Sequence, residues 1–254
     1  MRLIVASMAW SIQSENLELA RYWLGQVLND RPMASRRLPR RLAQLYIGLL
    51  IYGFAAALQV RSELGLDPWD VFHQGLAGHL GLAIGTVVII VGAAVLLFWI
   101  PLRQWPGLGT ISNVILIGLS LNWSLELLPE HASVGLRIAE MLIGIALGGV
   151  ATGMYIGAAF GPGPRDGLMT GLARRTGRSI RLVRTCMEIS VLAGGWLLGG
   201  TVGIGTVLYA LSIGPLAQYF LRVFSVQSSS STRASQVANR STAVSNSGLA
   251  STKT

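Results

Sequence analysis

The stretch Gly65-Leu-Asp-Pro-Trp-Asp-Val-Phe-His-Gln-Gly-Leu-Ala-Gly-His-Leu-Gly81 is answered further along by Gly161-Pro-Gly-Pro-Arg-Asp-Gly-Leu-Met-Thr-Gly-Leu-Ala-Arg-Arg-Thr-Gly177. Sliding the chain by 96 residues carries Pro68 and Asp70 onto Pro164 and Asp166, and Gly75-Leu-Ala onto Gly171-Leu-Ala. The same offset carries Gly48, Gly53, Gly81 and Ile84 onto Gly144, Gly149, Gly177 and Ile180. Further on, Gly107, Gly109, Thr110 and Gly118 fall on Gly203, Gly205, Thr206 and Gly214. Pro, Asp and Gly are the residues with the strongest positional meaning, and one offset held across roughly 80 residues marks an internal duplication.

The medium follows from composition. Of 254 residues, 52% are hydrophobic, 12% are charged and 31 are glycine. Mean hydropathy is +0.55. Soluble domains carry about 25% charged residues, whereas closely packed membrane helices favour small residues. Six apolar runs approach or exceed the ~18 residues expected of a membrane span. They are Leu42–Val60, Leu82–Ile100, Thr110–Leu128, Leu136–Phe160, Ile180–Gly199 and Val202–Leu221. Each copy of the duplication then reads as helix, motif loop, helix, Gly turn, helix. Three crossings is an odd number, so the second copy enters from the opposite face. The expected fold is an all-α polytopic protein, a 3+3 inverted-topology repeat with a short helix in each motif loop.

Charge gives an independent orientation. Arg36, Arg37, Arg40 and Arg41 precede the first span, and the second motif loop carries Arg165, Arg174, Arg175, Arg178 and Arg181. Arg103 and Arg222 fall on the same expected side. The first motif loop has Arg61, Glu63, Asp67 and Asp70, with no positive excess. The positive-inside rule then places both termini in the cytoplasm. The net charge of +9 is accounted for in this way, and nucleic acid is not an expected partner. Cys186, the single cysteine, reads as a buried thiol within an apolar helix and excludes an internal disulfide.

Four segments follow. Residues 1–35 form an N-terminal extension, and Met33 followed by Ala-Ser-Arg-Arg-Leu-Pro-Arg-Arg reads as an alternative start. The first repeat spans 36–128 and the second 129–226. The Ser/Thr-rich tail 227–254 lacks the apolar residues to offset its ordering entropy, and reads as disordered.

Within each motif loop the punctuation is mechanical. Asp67 suits a helix N-cap, Pro68 its first position and Gly81 its C-terminal cap. Gly163, Pro164 and Gly177 repeat the pattern. Asp70 and Asp166 fall in the first helical turn, where a carboxylate favours the dipole. They are also candidates for a paired cation or proton site, since inverted repeats with interrupted helices build such sites. His73 shares a helix face with Asp70 and is a weak metal signal alone. Glu188, about two turns into the fifth span, is a functional candidate by default, with Arg184 as its partner one turn earlier. Glu140 is expected at the water interface. Gly149, Gly153 and Gly157 form a close-packing stripe. The Gly107–Thr110 and Gly203–Thr206 turns lack the Lys and the strand of a phosphate loop.

The run Leu64-Gly-Leu-Asp-Pro-Trp-Asp70-Val-Phe-His-Gln-Gly75, followed by Gly81-Leu-Ala-Ile-Gly-Thr86, resembles the bacterial YczE-like membrane proteins of the YczE/YyaS/YitT group. Gly195-Trp-Leu-Leu-Gly-Gly200-Thr-Val-Gly-Ile-Gly-Thr206 matches a second hallmark, and the resemblance covers about residues 38–224. It implies a bacterial inner-membrane protein and transfers no catalytic residue. The expected function is a small secondary transporter or exporter. The rival is a scaffold or accessory protein of a membrane complex. An enzyme is not expected, for want of a nucleophile–base pair, and neither is a metal or cofactor. The expected partners are the bilayer and an unidentified small molecule or ion; self-association into a homo-oligomer stays open.

Overall fold

The structure is a computed structural model that describes residues 38–130 and 133–224. Eight helices follow one another there: α1 (Leu38–Ser62), α2 (Pro68–Leu80), α3 (Ile84–Trp99), α4 (Leu108–Leu127), α5 (Val134–Gly157), α6 (Pro164–Thr176), α7 (Ile180–Leu197) and α8 (Ile204–Phe224). The described residues contain no strand. The N-terminal extension, His131 and the Ser/Thr-rich tail lie outside them.

The duplication is carried into the backbone. Pro68–Leu80 recurs as Pro164–Thr176, and the other three helices of the first half recur at the same offset to within two residues. Left-handed residues make the point more sharply, because φ > 0 is rarely adopted without need. Glu63 pairs with Ala159 (φ 52° and 56°), Gly65 with Gly161 (both 118°), Gly81 with Gly177 (65° and 66°), and Arg103 with Gly199 (52° and 84°). These four pairs include every such residue among those described.

The two copies interlock. α1 lies against α5, α1 also packs on α4, and α5 on α8. Each short helix crosses to the other half, α2 packing on α7 and α6 on α3. Buried backbone groups demand partners, and the halves supply them reciprocally. Arg41 Nε donates to Ala158 O at the end of α5 (3.0 Å), while Arg137 Nε donates to Ser62 O at the end of α1 (2.8 Å). Gly109 N donates to Phe160 O (2.9 Å), and its counterpart Gly205 N donates to Leu64 O (2.8 Å). The Gly-x-Gly-Thr turns therefore serve as clasps on the opposite half. The stripe on α5 admits α8: a Cβ on Gly149 would stand 2.7 Å from Leu216 Cβ, and one on Gly153 2.6 Å from Phe220 Cβ.

Four helices, α1, α4, α5 and α8, are long and apolar enough to cross a membrane; α2 and α3, bent by 111°, make a fifth if counted together. Among the described residues, four to five of the six expected spans thus meet that length and composition. α3 has 16 residues, a rise of about 24 Å against the ~30 Å hydrocarbon thickness. α7 holds Arg181, Arg184 and Glu188, which take it out of the apolar class. Two further expectations fail. Cys186 is exposed on α7 rather than buried, because that part of α7 has little packed against it. Glu140 is buried at 7% exposure rather than facing water, because α5 begins at Val134 and carries it inward. Leu45, Leu49, Val87 and Leu121 are fully buried, while Leu97, Phe98, Leu197 and Leu211 are over 60% exposed on the outer surface. So much exposed apolar area suits a lipid surround.

Candidate functional site

The site begins with the chemistry of two helix starts. Asp67 Oδ1 accepts from Trp69 N at 2.8 Å and from Asp70 N at 2.9 Å, so Asp67 is the N-cap of α2, with Pro68 next and Gly81 closing the helix in left-handed conformation. On α6, Pro164 and Gly177 hold the same places, and Gly163 stands at the N-cap without a side chain to bond. Asp70 and Asp166 lie in the first turns.

Helix crossing brings these two N-terminal ends together. Arg165 on α6 reaches back to α2, with Nη1 3.6 Å from Asp67 Oδ1 and Nη2 3.7 Å from Asp70 Oδ1. Its guanidinium lies 5.2 Å from the centre of the Trp69 ring. Positions 69 and 165 are each other's counterparts at the offset of 96. Two counterparts in contact lie where the two halves meet.

Around this centre the polar groups are largely dry. Asp67 and Asp70 are each 3% exposed and His73 is 2% exposed. His73 Nδ1 sits 3.0 Å from Asp70 Oδ1. Tyr155 on α5 donates its hydroxyl to Asp166 Oδ2 at 2.7 Å. Tyr52 on α1 meets Tyr155 edge-to-face at 6.3 Å and lies within electrostatic reach of Tyr209 on α8. Asn113 on α4 borders the same space: a Cβ on Gly163 would stand 3.5 Å from its Nδ2 and 3.0 Å from Asp166 Oδ2. Asn113 and Tyr209 are counterparts, so each half contributes one to the centre.

Of the sequence candidates, Asp70, His73 and Asp166 join this cluster. Arg184 and Glu188 form their own pair on α7, Nε to Oε1 at 2.9 Å, with side chains 50% and 38% exposed. Arg184 lies within electrostatic reach of Asp166 and Tyr209. Sequence reasoning gave Arg165 only a topological role and passed over Tyr52 and Tyr155. The signal for Arg165 was its place beside Pro164, opposite Trp69 in the twin motif. The tyrosines carried none, since their counterparts are Gly148 and Gln59.

The charges do not balance locally. Asp67 and Asp70 share one cation, Arg165, while Asp166 accepts from Tyr155 and lies within electrostatic reach of Arg184. Burying an unpaired charge costs several kcal/mol per ion.

A family profile for DUF6198, described as a family of unknown function, matches residues 39–222. An uncharacterized protein of Haemophilus influenzae is 42% identical over 184 residues, covering 72% of this chain and 84% of that protein. The uncharacterized membrane protein YczE of Bacillus subtilis is 35% identical over 178 residues, covering 69% and 83%. YyaS of the same organism is 25% identical over 181 residues, covering 70% and 90%. No solved structure matches. The profile takes in the interlocked helices from α1 to α8, and the chain is a multi-pass membrane protein that belongs to the DUF6198 family, within its YczE-like group.

Proposed function

We propose that this protein is a small secondary transporter of the bacterial inner membrane, built as a 3+3 inverted-topology repeat with both termini in the cytoplasm. The observation that carries the reading is the meeting of the α2 and α6 N-termini around Asp67, Asp70, Arg165 and Asp166. Transporters with inverted repeats place coupling sites between discontinuous helices near the midplane. Non-helical backbone at that depth is tolerated only where protein or water surrounds it, and the clasps on Gly109 and Gly205 supply such surroundings. In this reading the three acids take up a coupling cation or proton, and Arg165 holds the centre closed between turnovers. The Arg distribution supports the orientation. The scaffold reading is the rival, favoured by nothing specific in the cluster.

The test requires no knowledge of the substrate. Asn113→Cys and Tyr209→Cys, each in a Cys186→Ser background, place a thiol at counterpart positions beside the centre. A small charged thiosulfonate is applied to the outside of spheroplasts and, separately, to inside-out vesicles. A transporter exposes its centre to each side in turn, so both positions should label from both sides. Labelling from one side only, or from neither, overturns transport and leaves the scaffold reading.

A further inference from the structure

A surface cavity of about 630 Å³ opens where the end of α3 meets the end of α6, lined by Ile100, Pro101, Leu102, Arg103, Gly171, Arg174 and Arg175. It lies towards the opposite end of α6 from Asp166 and plays no part in the reading above. Three arginines share it, with no acidic residue among its walls. Arg175 is anchored, donating from Nη1 to Pro101 O at 2.6 Å.

The counterpart surface shows that these cations are not a by-product of the fold. At the offset of 96, Arg103, Arg174 and Arg175 correspond to Gly199, Gly78 and His79. The same backbone is thus built with three arginines at these positions in one place and none at their counterparts. Arg103 also stands at φ +52°, a conformation that its counterpart Gly199 adopts freely and that an L side chain rarely occupies. Backbone of this kind is retained where the side chain has a task.

The cavity rim indicates the ligand. The last turn of α3 exposes Leu97 (66%) and Phe98 (61%), followed by Ile100 (72%), and Trp105 beyond the arginines is 91% exposed. Exposed apolar side chains beside arginines and an exposed Trp are the residue types that gather where hydrocarbon gives way to headgroups. A phosphate in the cavity would meet guanidinium forks, and acyl chains would lie along Leu97, Phe98 and Ile100.

We propose that the Arg103–Arg174–Arg175 cavity binds the phosphate of an anionic phospholipid, with its acyl chains on the exposed end of α3. Basic pockets at the ends of membrane helices recognise anionic headgroups by this chemistry. The ligand group is a phosphate diester or monoester, and its source is lipid rather than free phosphate.

The test uses the full chain in detergent, with native mass spectrometry reading the fraction of protein carrying lipid. Dioleoyl phosphatidylglycerol and dioleoyl phosphatidylcholine are added at equal concentration. Phosphatidylglycerol should bind at least tenfold more, and 10 mM inorganic phosphate should not displace it. The double variant Arg103→Gln, Arg174→Gln, which leaves the Arg175 anchor in place, should lose that preference while keeping the wild-type melting temperature in phosphatidylcholine. Arg178→Gln with Arg181→Gln, outside the cavity, should keep it. Equal binding of the two lipids would overturn the proposal. So would displacement by phosphate, which points to a free anion, and so would equal loss in the Arg178/Arg181 control, which points to diffuse charge. A melting temperature lowered in the double variant would be met by Arg174→Lys, which keeps the charge but not the fork; unaltered preference there would overturn bidentate recognition.

Discussion

The two halves share a backbone but close it differently. In the first half α3 lies on α4. Gly85, Val88 and Gly92 form the face: Gly85 N donates to Asn122 Oδ1 at 2.8 Å, Val88 is 7% exposed, and a Cβ on Gly92 would stand 3.2 Å from Val114. A Cβ on either Gly85 or Gly118 would run into the other's carbonyl oxygen. In the second half the same three positions hold Arg181, Arg184 and Glu188. α7 makes no extended interface with α8; Val183 and Gly195 are its only buried residues, and a Cβ on Gly214 would meet nothing within 4 Å. Duplication kept the turns, and three side chains on one helix face decided which interval shuts. The interval left open borders Tyr209, which belongs to the central cluster.

The largest expected effect tests whether the centre depends equally on its two counterpart residues. Arg165→Met strands Asp67 and Asp70, and breaking a buried pair from one side costs about 3–5 kcal/mol. Trp69→Phe keeps an aromatic face over Arg165 and should cost under about 1 kcal/mol. Unfolding of the purified protein in mixed micelles reads both. Similar, small losses for the two would mean that water reaches the acids and that the cluster is not a dry centre.

Next in size is the pair that defines the comparison itself. Gly118→Ala forces a methyl group against the Gly85 carbonyl, and overpacking of this kind costs about 1–3 kcal/mol. Gly214→Ala, its counterpart, meets open space and gains helix propensity, so it should be neutral or stabilising by up to about 1 kcal/mol. Melting temperatures in one detergent decide it. Equal destabilisation would show that α7 and α8 close on each other in the working protein.

Much of this was legible beforehand, and the limits have physical causes. The offset of 96 located both motif helices, since Pro, Gly and Asp act through local backbone geometry that needs no knowledge of the third dimension. Asp67, Pro68, Gly81, Pro164 and Gly177 sit where that punctuation puts them. The sequence offers Asp70 and Asp166 as a pair, but the residue that joins the two helix ends is Arg165, whose place in the sequence marks it only as a topological charge. Its partners lie almost 100 residues away, and only the crossing of α2 and α6 brings them within reach. α3 and α7 depart from the expected long apolar spans for a related reason: α3 has 16 residues and is reached through a 111° bend, and three charged residues interrupt α7. The asymmetry was written plainly at 85, 88 and 92 against 181, 184 and 188. It could be read only once those positions were known to form one packing face.

The smallest expected effect concerns the ion pair that holds the second interval apart. Arg184 and Glu188 are one turn apart and both more than one-third exposed. Exposed i,i+4 pairs contribute about 0.3–0.5 kcal/mol, and a double-mutant cycle of Arg184→Gln and Glu188→Gln in micelles should return a coupling in that range. The same cycle in phosphatidylcholine nanodiscs sharpens the comparison, because lipid replaces water along α7. If the interval stays open to water, the coupling remains below about 1 kcal/mol there too. If lipid or a second copy of the chain covers α7, each single variant leaves a charge without its partner in a drier surround, and the coupling rises towards the several kcal/mol of a buried pair. A rise above about 2 kcal/mol on entering the bilayer would therefore overturn a water-filled interval. The corresponding positions in the first half, Val88 and Gly92, carry no charge and give the cycle no equivalent. Any bilayer dependence it detects belongs to the open half alone.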